Sequence, residues 1–268
     1  MFSRPHLYFQ LRGWVRSTPA RGSVLGVLAT ALAVGSTFAL PVATGGALGS
    51  LLASASCNPG RNPSNGVQNE AYAYHNVGYT VGGIYGNIVV YHPFLYPTGA
   101  DTTTEAQELR GFESGGPYFA QSGWIESYAT GSVARPYFNW QSPDGSYLGV
   151  YDTTLSWGGT YPFKIYYNNP SSGDWRFYAD GYWYPANGEG VNLGFSPSDG
   201  RVEGITEDTD SQMPGGYLSP AYFTGTHLYY SGGWNDMGGS GGTTNGNWYT
   251  GGVSNSTQEY TYDNYCPY

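Results

Sequence analysis

From residue 79 onward, apolar and polar positions alternate in short runs, each ending in residues that favour turns. The pattern predicts strands at 84–91, 117–127, 133–141, 146–152, 161–168, 174–180, 200–207 and 221–230. Turn signals separate them, among them Pro143-Asp144-Gly145 and Pro197-Ser198-Asp199-Gly200. No stretch after residue 56 holds a 3.6-residue apolar period, so the reading is all-β. Strands at this spacing predict a sandwich of antiparallel sheets rather than βαβ units. Two segments fall outside the pattern: 56–73, rich in Asn, Pro and Gly, is expected to be an extended leader. Residues 231–256, dominated by Gly, Asn, Thr and Ser, are expected to form a long loop or loose tail. With no internal repeat and no domain-sized linker, one domain over 74–230 is expected, followed by a Gly/Asn-rich segment at 231–268.

Composition agrees. The chain carries 42 Gly, 27 Tyr and 8 Trp with only 11% charged residues, which suits pleated sheet and disfavours helix. The first 55 residues differ: Arg4, Arg12, Arg16 and Arg21 precede a charge-free, largely apolar run that ends in Ala53-Ser54-Ala55. That is the layout of a secretory signal peptide, so the protein is expected to be secreted, with no membrane attachment after cleavage. An uncleaved anchor is the alternative, although Pro41 and several glycines interrupt the run. Without residues 1–55, six basic residues face 19 acidic ones, a net charge of −13. This charge argues against nucleic acid or an anionic membrane as partner. It would suit a monomeric protein working in acid, where protonation relieves the repulsion. A stability that collapses below about pH 5 would contradict that expectation.

The two cysteines, Cys57 and Cys266, sit at the ends of the expected mature chain. In an exported protein such a pair reads as a disulfide, with two free thiols as the alternative. Closing a loop of about 210 residues would contribute roughly 5 kcal/mol in the chain-entropy model.

Candidate chemistry narrows by elimination. Paired cysteines offer no nucleophile. His75, His92 and His227 lie in no nucleophile-elbow pattern, and no two His have helical metal-ligand spacing, so no metal site is expected. Carboxylates remain. In the segment 118–126, strand alternation puts Phe119, Gln121, Gly123 and Ile125 on one face, with Trp124 and Glu126 on the other. In 201–208, Arg201, Glu203, Ile205 and Glu207 share a face. Carboxylates paired on one face can perturb each other's ionisation, as acid–base chemistry requires, although such a pattern also describes a plain solvated sheet face.

Phe119-Ala-Gln121-Ser-Gly-Trp124-Ile resembles the strand that carries the first catalytic residue of the glutamic peptidases. It has the Gln of the fungal eqolisins (L-Q-T-G-V) in the Gly-Trp context of the plant neprosins (I-E-A-G-W). Val202-Glu203-Gly-Ile-Thr-Glu207-Asp208 is similar to the eqolisin motif A-E-W-I-V-E-D, with Gly204 where that motif has Trp. Tyr85-Gly-Asn-Ile-Val-Val-Tyr91-His-Pro93 and Asp174-Trp175-Arg-Phe followed by Gly181-Tyr-Trp183-Tyr-Pro185 resemble neprosin segments in the same order. The resemblance covers about residues 74–230.

It implies a curved, lectin-like jelly-roll sandwich with a peptide groove on its concave face and no cofactor. It also implies an acid endopeptidase acting on polypeptides, in which Glu203 is the general base and the Gln121 amide stabilises the oxyanion. Tyr137, Asn139 and Trp124 are the expected substrate contacts, and Glu207 an expected partner of Glu203. Trp140 is expected in the core. Two other readings stay open. A lectin-fold glycosidase would use two Glu on one strand, but Ile205 replaces the Asp expected between Glu203 and Glu207, whose Cα atoms would lie ~13 Å apart. A noncatalytic binding module would stack its many Tyr and Trp rings on sugars.

Overall fold

The computed structural model describes residues 69–93, 95, 102–111, 118–127, 133–143, 145–169, 174–186, 189–206, 212–244 and 248–267. All regular structure among them is strand. The expected signal segment, Cys57 and Glu207 lie outside these residues. Cys266 lies within them and is buried.

In chain order the first strands are β1 (Asn69–Asn76), β2 (Gly83–Val89), β3 (Thr102–Gly111), β4 (Tyr118–Ser127), β5 (Arg135–Ser142) and β6 (Gly145–Val150). The middle of the chain forms β7 (Thr160–Asn169), β8 (Asp174–Ala179), β9 (Tyr182–Tyr184), β10 (Asp199–Thr206) and β11 (Gly215–Gly216). The last are β12 (Ser219–Tyr230), β13 (Gly233–Asp236), β14 (Ser240–Thr243), β15 (Tyr249–Asn255) and β16 (Gln258–Asp263). They make two sheets. One runs β14-β1-β10-β3-β4-β5-β6; the other runs β15-β16-β11-β12-β2-β7-β8-β9, with β13 alongside β12.

The facing sides of the two sheets enclose the core. Leu109, Trp124, Phe138, Trp140 and Val202 from the first sheet meet Ile84, Ile88, Phe163, Ile165, Phe177 and Phe223 from the second. Burying one such side chain stabilises by about 1.5–3 kcal/mol, and this interface supplies most of the apolar burial. Where the sheets come closest, glycine replaces a side chain: a Cβ on Gly200 would lie 2.2 Å from Leu228.

Each of the eight expected strands is present, within two residues at either end. Two expectations are corrected. The leader is not all loop, because Asn69–Asn76 is β1, paired to β10 along its whole length, so the boundary at 74 falls inside a strand. The Gly/Asn-rich region 231–256 contains β13, β14 and β15. Its glycines permit close approach rather than disorder: a Cβ on Gly251 would lie 2.2 Å from the Tyr72 backbone nitrogen, and one on Gly241 2.1 Å from the Gly251 carbonyl.

Gly123 does the same between β3 and β4, where a Cβ would lie 1.9 Å from the Glu105 carbonyl oxygen and 2.7 Å from the Ala106 Cα. Gly123→Ala is therefore expected to force the two strands apart. Because backbone rather than a flexible side chain must give way, the cost should reach or exceed the ~1–3 kcal/mol typical of overpacking. A denaturation midpoint within error of wild type would contradict this close approach.

Candidate active site

Three neighbouring strands build the site on the outer face of the seven-stranded sheet. β3 lies between β10 and β4, so Glu203 on β10 and Gln121 on β4 are separated by one strand. In the ladder, Glu203 faces Ala106, and Ala106 faces Gly123. These two small residues keep the floor low between Glu203 and Gln121, and the long side chains meet above it. The Gln121 Nε2 donates to Glu203 Oε1 at 2.6 Å. Its second hydrogen goes to Glu108 Oε2 at 2.8 Å, from the residue directly opposite Gln121 on β3. The other end of the amide is held from β5, where Tyr137 Oη and Asn139 Nδ2 donate to Gln121 Oε1 at 3.4 and 3.3 Å. Donors at the oxygen and acceptors at the nitrogen fix the orientation of the amide.

Around this centre acids and guanidiniums are closely packed. Arg110 bonds Glu108, donates to Glu70 Oε2 at 3.2 Å and lies 3.7 Å from Glu203 Oε2. Arg201 also donates to Glu70 Oε2 at 3.2 Å, and its guanidinium lies 4.0 Å above the Tyr72 ring. Glu203, Glu108 and Glu70 thus face two guanidiniums, and Asp199, opposite Arg110 in the ladder, is a fourth acid that feels Arg201, Arg110 and Glu108. Burial, reinforced by the like charges of Glu108 and Glu70, holds the Glu203 carboxyl well above the ordinary range, with Arg110 opposing. Glu203 Oε2 is buried and accepts no hydrogen bond among the described residues. Burial likewise raises the Tyr137 phenol, so Tyr137 stays a neutral donor.

The expected site residues thus divide. Gln121, Glu203, Tyr137 and Asn139 converge on one point. Trp124 does not: it is fully buried on the core face, where its Nε1 donates to Glu105 Oε2 at 2.7 Å. The expected substrate contact at Trp124 is therefore corrected; strand alternation sends it to the opposite side from Gln121. Trp140 also faces the core, stacked between Tyr147 and Phe177 at 4.7 and 5.4 Å. Sequence reasoning missed Glu108, Arg110 and Glu70. The one local signal for β3 is the run Thr102-Thr103-Thr104, which favours strand ahead of residues that favour helix.

No protein-family model matches this chain. No curated protein matches it either. Among solved structures, it is similar to a scytalido-glutamic peptidase bound to a peptide-based transition-state analogue, with 13% identity, 74% of this chain and 98% of that chain covered, and a TM-score of 0.45. A structure of an eqolisin-family peptidase in complex with the tripeptide Ala-Ile-His is also similar, at 12% identity, the same coverage and a TM-score of 0.45.

Proposed function

We propose that this chain is a secreted endopeptidase of the glutamic type, active in acid, with Glu203 as general base and Gln121 as oxyanion donor. One observation carries the reading: an amide whose orientation is fixed by two donors delivers its N–H to a buried carboxylate of raised proton affinity. Ionised Glu203 takes a proton from a water molecule as the water oxygen bonds to the scissile carbonyl carbon. The carbonyl electron pair moves onto its oxygen. Once Glu203 carries that proton, its oxygen is a weaker acceptor, and the Gln121 N–H it held is free to turn to the new oxyanion. Glu203 then passes the proton to the leaving nitrogen as the C–N bond breaks. Tyr137 and Asn139 hold the amide throughout, and Gln121, which does not titrate, serves unchanged in acid. The expected pairing of Cys57 with Cys266 and a role for Glu207 belong to the same proposal.

The test is digestion of a denatured protein at pH 3–5 by the purified chain, with Glu203→Gln as control. Hydrolysis of β-glucan in its place, or peptide cleavage that the substitution leaves intact, would overturn the reading.

Glu108 gives a second prediction. Its carboxylate raises the Glu203 pKa, so Glu108→Gln should make Glu203 easier to ionise. Because activity on the acid side rises as Glu203 loses its proton, the acid limb of kcat/KM reports this ionisation. In the variant it should move to lower pH. A limb that stays in place or moves up would show that Glu108 does not act on Glu203 by charge.

A further inference from the structure

The outer face of the nine-stranded sheet, on the far side of the sandwich from Gln121, carries two adjacent cross-strand rows of rings and cations. The strand register defines the first as Asp236, His227, Tyr85, Lys164, Tyr178 and Trp183, one residue from each of six strands. Five strand spacings make this row ~24 Å long. The second row is Trp234, Tyr229, Gly83, Tyr166 and Arg176. Gly83 has a structural purpose there. A Cβ would lie 3.0 Å from the Trp234 ring and 3.1 Å from the Tyr166 ring, so its absence lets both lie down over β2. Tyr85 stacks on His227 and meets Trp234 edge-on, each at 4.8 Å, while Trp183 lies 5.0 Å from Tyr178. The rings are half-buried and Trp183 is exposed. They form a broad platform with polar rims.

The charge on this platform sets it apart. Arg110 and Arg201 are tied up in the candidate active site, and Arg135 pairs with Asp152. Lys164 and Arg176 pair with no carboxylate among the described residues. Both stack on the platform instead, Lys164 at 4.5 Å from the Tyr166 ring and 5.0 Å from Trp234, and Arg176 at 4.6 Å from Trp183. In the ladder Arg176 faces Tyr166, two residues from Lys164, which puts the two cations on a diagonal ~7–8 Å apart at the backbone. A chain of net charge −9 therefore presents its two unpaired described cations together, among stacked rings.

We propose that this face binds an acidic polysaccharide, with sugar rings lying on Trp234, Tyr85 and Trp183 and uronate carboxylates taken by Lys164 and Arg176. A peptide adding by main-chain pairing would need an unpaired strand edge, and the central strands of this platform, β12, β2, β7 and β8, are paired on both sides. Aromatic faces take the apolar side of a sugar ring, and the Tyr hydroxyls, Asn87 and the His227–Asp236 pair (3.3 Å) supply polar groups for its hydroxyls. This site is separate from the peptidase reading and does not depend on it.

The experiment is affinity electrophoresis of the purified chain through gels containing polygalacturonate, with the neutral glucan laminarin and poly-L-glutamate as comparisons. Polygalacturonate is expected to retard the protein, less so as salt rises, and laminarin and poly-L-glutamate to do so weakly. Lys164→Gln/Arg176→Gln and, separately, Trp234→Ala/Trp183→Ala should each weaken retardation about tenfold or more, with peptide hydrolysis unchanged. Lys164→Gln alone is the safer variant for folding, since the Arg176 guanidinium has a buried Nε and donates to the Pro185 carbonyl at 3.3 Å. No retardation overturns the proposal. Retardation by laminarin that survives loss of the cations overturns the acidic specificity, and retardation by poly-L-glutamate that survives loss of the Trp rings overturns the sugar.

Discussion

Glu203→Gln is expected to lower peptide hydrolysis by about 10³-fold or more and to leave the fold intact. The substituted amide keeps the shape of the carboxyl but cannot take a proton from water, so loss of the general base sets the size of the effect. Stability should hold or rise, because the change removes a buried carboxylate repelled by Glu108 and Glu70. Gln121→Ala should cost about 10²–10³-fold in kcat, the usual value of one oxyanion donor. It should also leave Tyr137 and Asn139 without their shared acceptor. The two losses should not multiply, since the Gln121 N–H is released by the protonation of Glu203, and without that step its contribution is already gone. Measured kcat/KM for both single variants and the double variant decides the matter. Glu203→Gln with a tenth of wild-type activity, or a double variant at the product of the single losses, would rule out this coupling.

The faces of the strands were legible in the sequence, and their order was not. Period-two alternation over 118–126 and 201–208 places Gln121 and Glu203 on outer faces and Trp124 on the core face. What alternation cannot convey is that β3 lies between those two strands. Thr102–Gly111 contains Glu105-Ala106-Gln107-Glu108-Leu109, a run of good helix formers, and it becomes a strand because both of its edges find partners. Glu108 and Arg110 enter the site only through that tertiary choice. The glycines of β14 and β15 misled for a related reason. Glycine reads as turn or tail in a single sequence, whereas at 241 and 251 it marks backbone passing too close for any Cβ. Glu70 was hidden in the same way, since a segment rich in Asn, Pro and Gly gives little sign that its end is the strand pairing with β10.

Stability is expected to be greatest in acid and to fall as pH rises from about 4.5 to about 8. Among the described residues, Glu105, Glu126 and Glu259 are carboxyl groups that point inward between the sheets and are all essentially unexposed. Burial pushes Glu126 and Glu259 up to about 8 and holds Glu105 well above the ordinary range despite its bond from Trp124. In the unfolded chain all three ionise near pH 4.5. Between that value and the folded one the native state therefore holds more protons, and each rise in pH favours unfolding. Below about 4.5 both states are protonated and no penalty applies; for Glu126 and Glu259 it is complete above about 8, on the order of several kcal/mol each. Guanidinium denaturation at pH 4 and at pH 7.5 measures the effect, and the midpoint should be clearly lower at the higher pH. Glu126→Gln/Glu259→Gln should flatten the profile, because a neutral amide carries no charge to bury. A midpoint that is constant or rising across this interval would show that these carboxyls are ionised in the folded protein. It would also remove the physical basis for expecting a protein suited to acid.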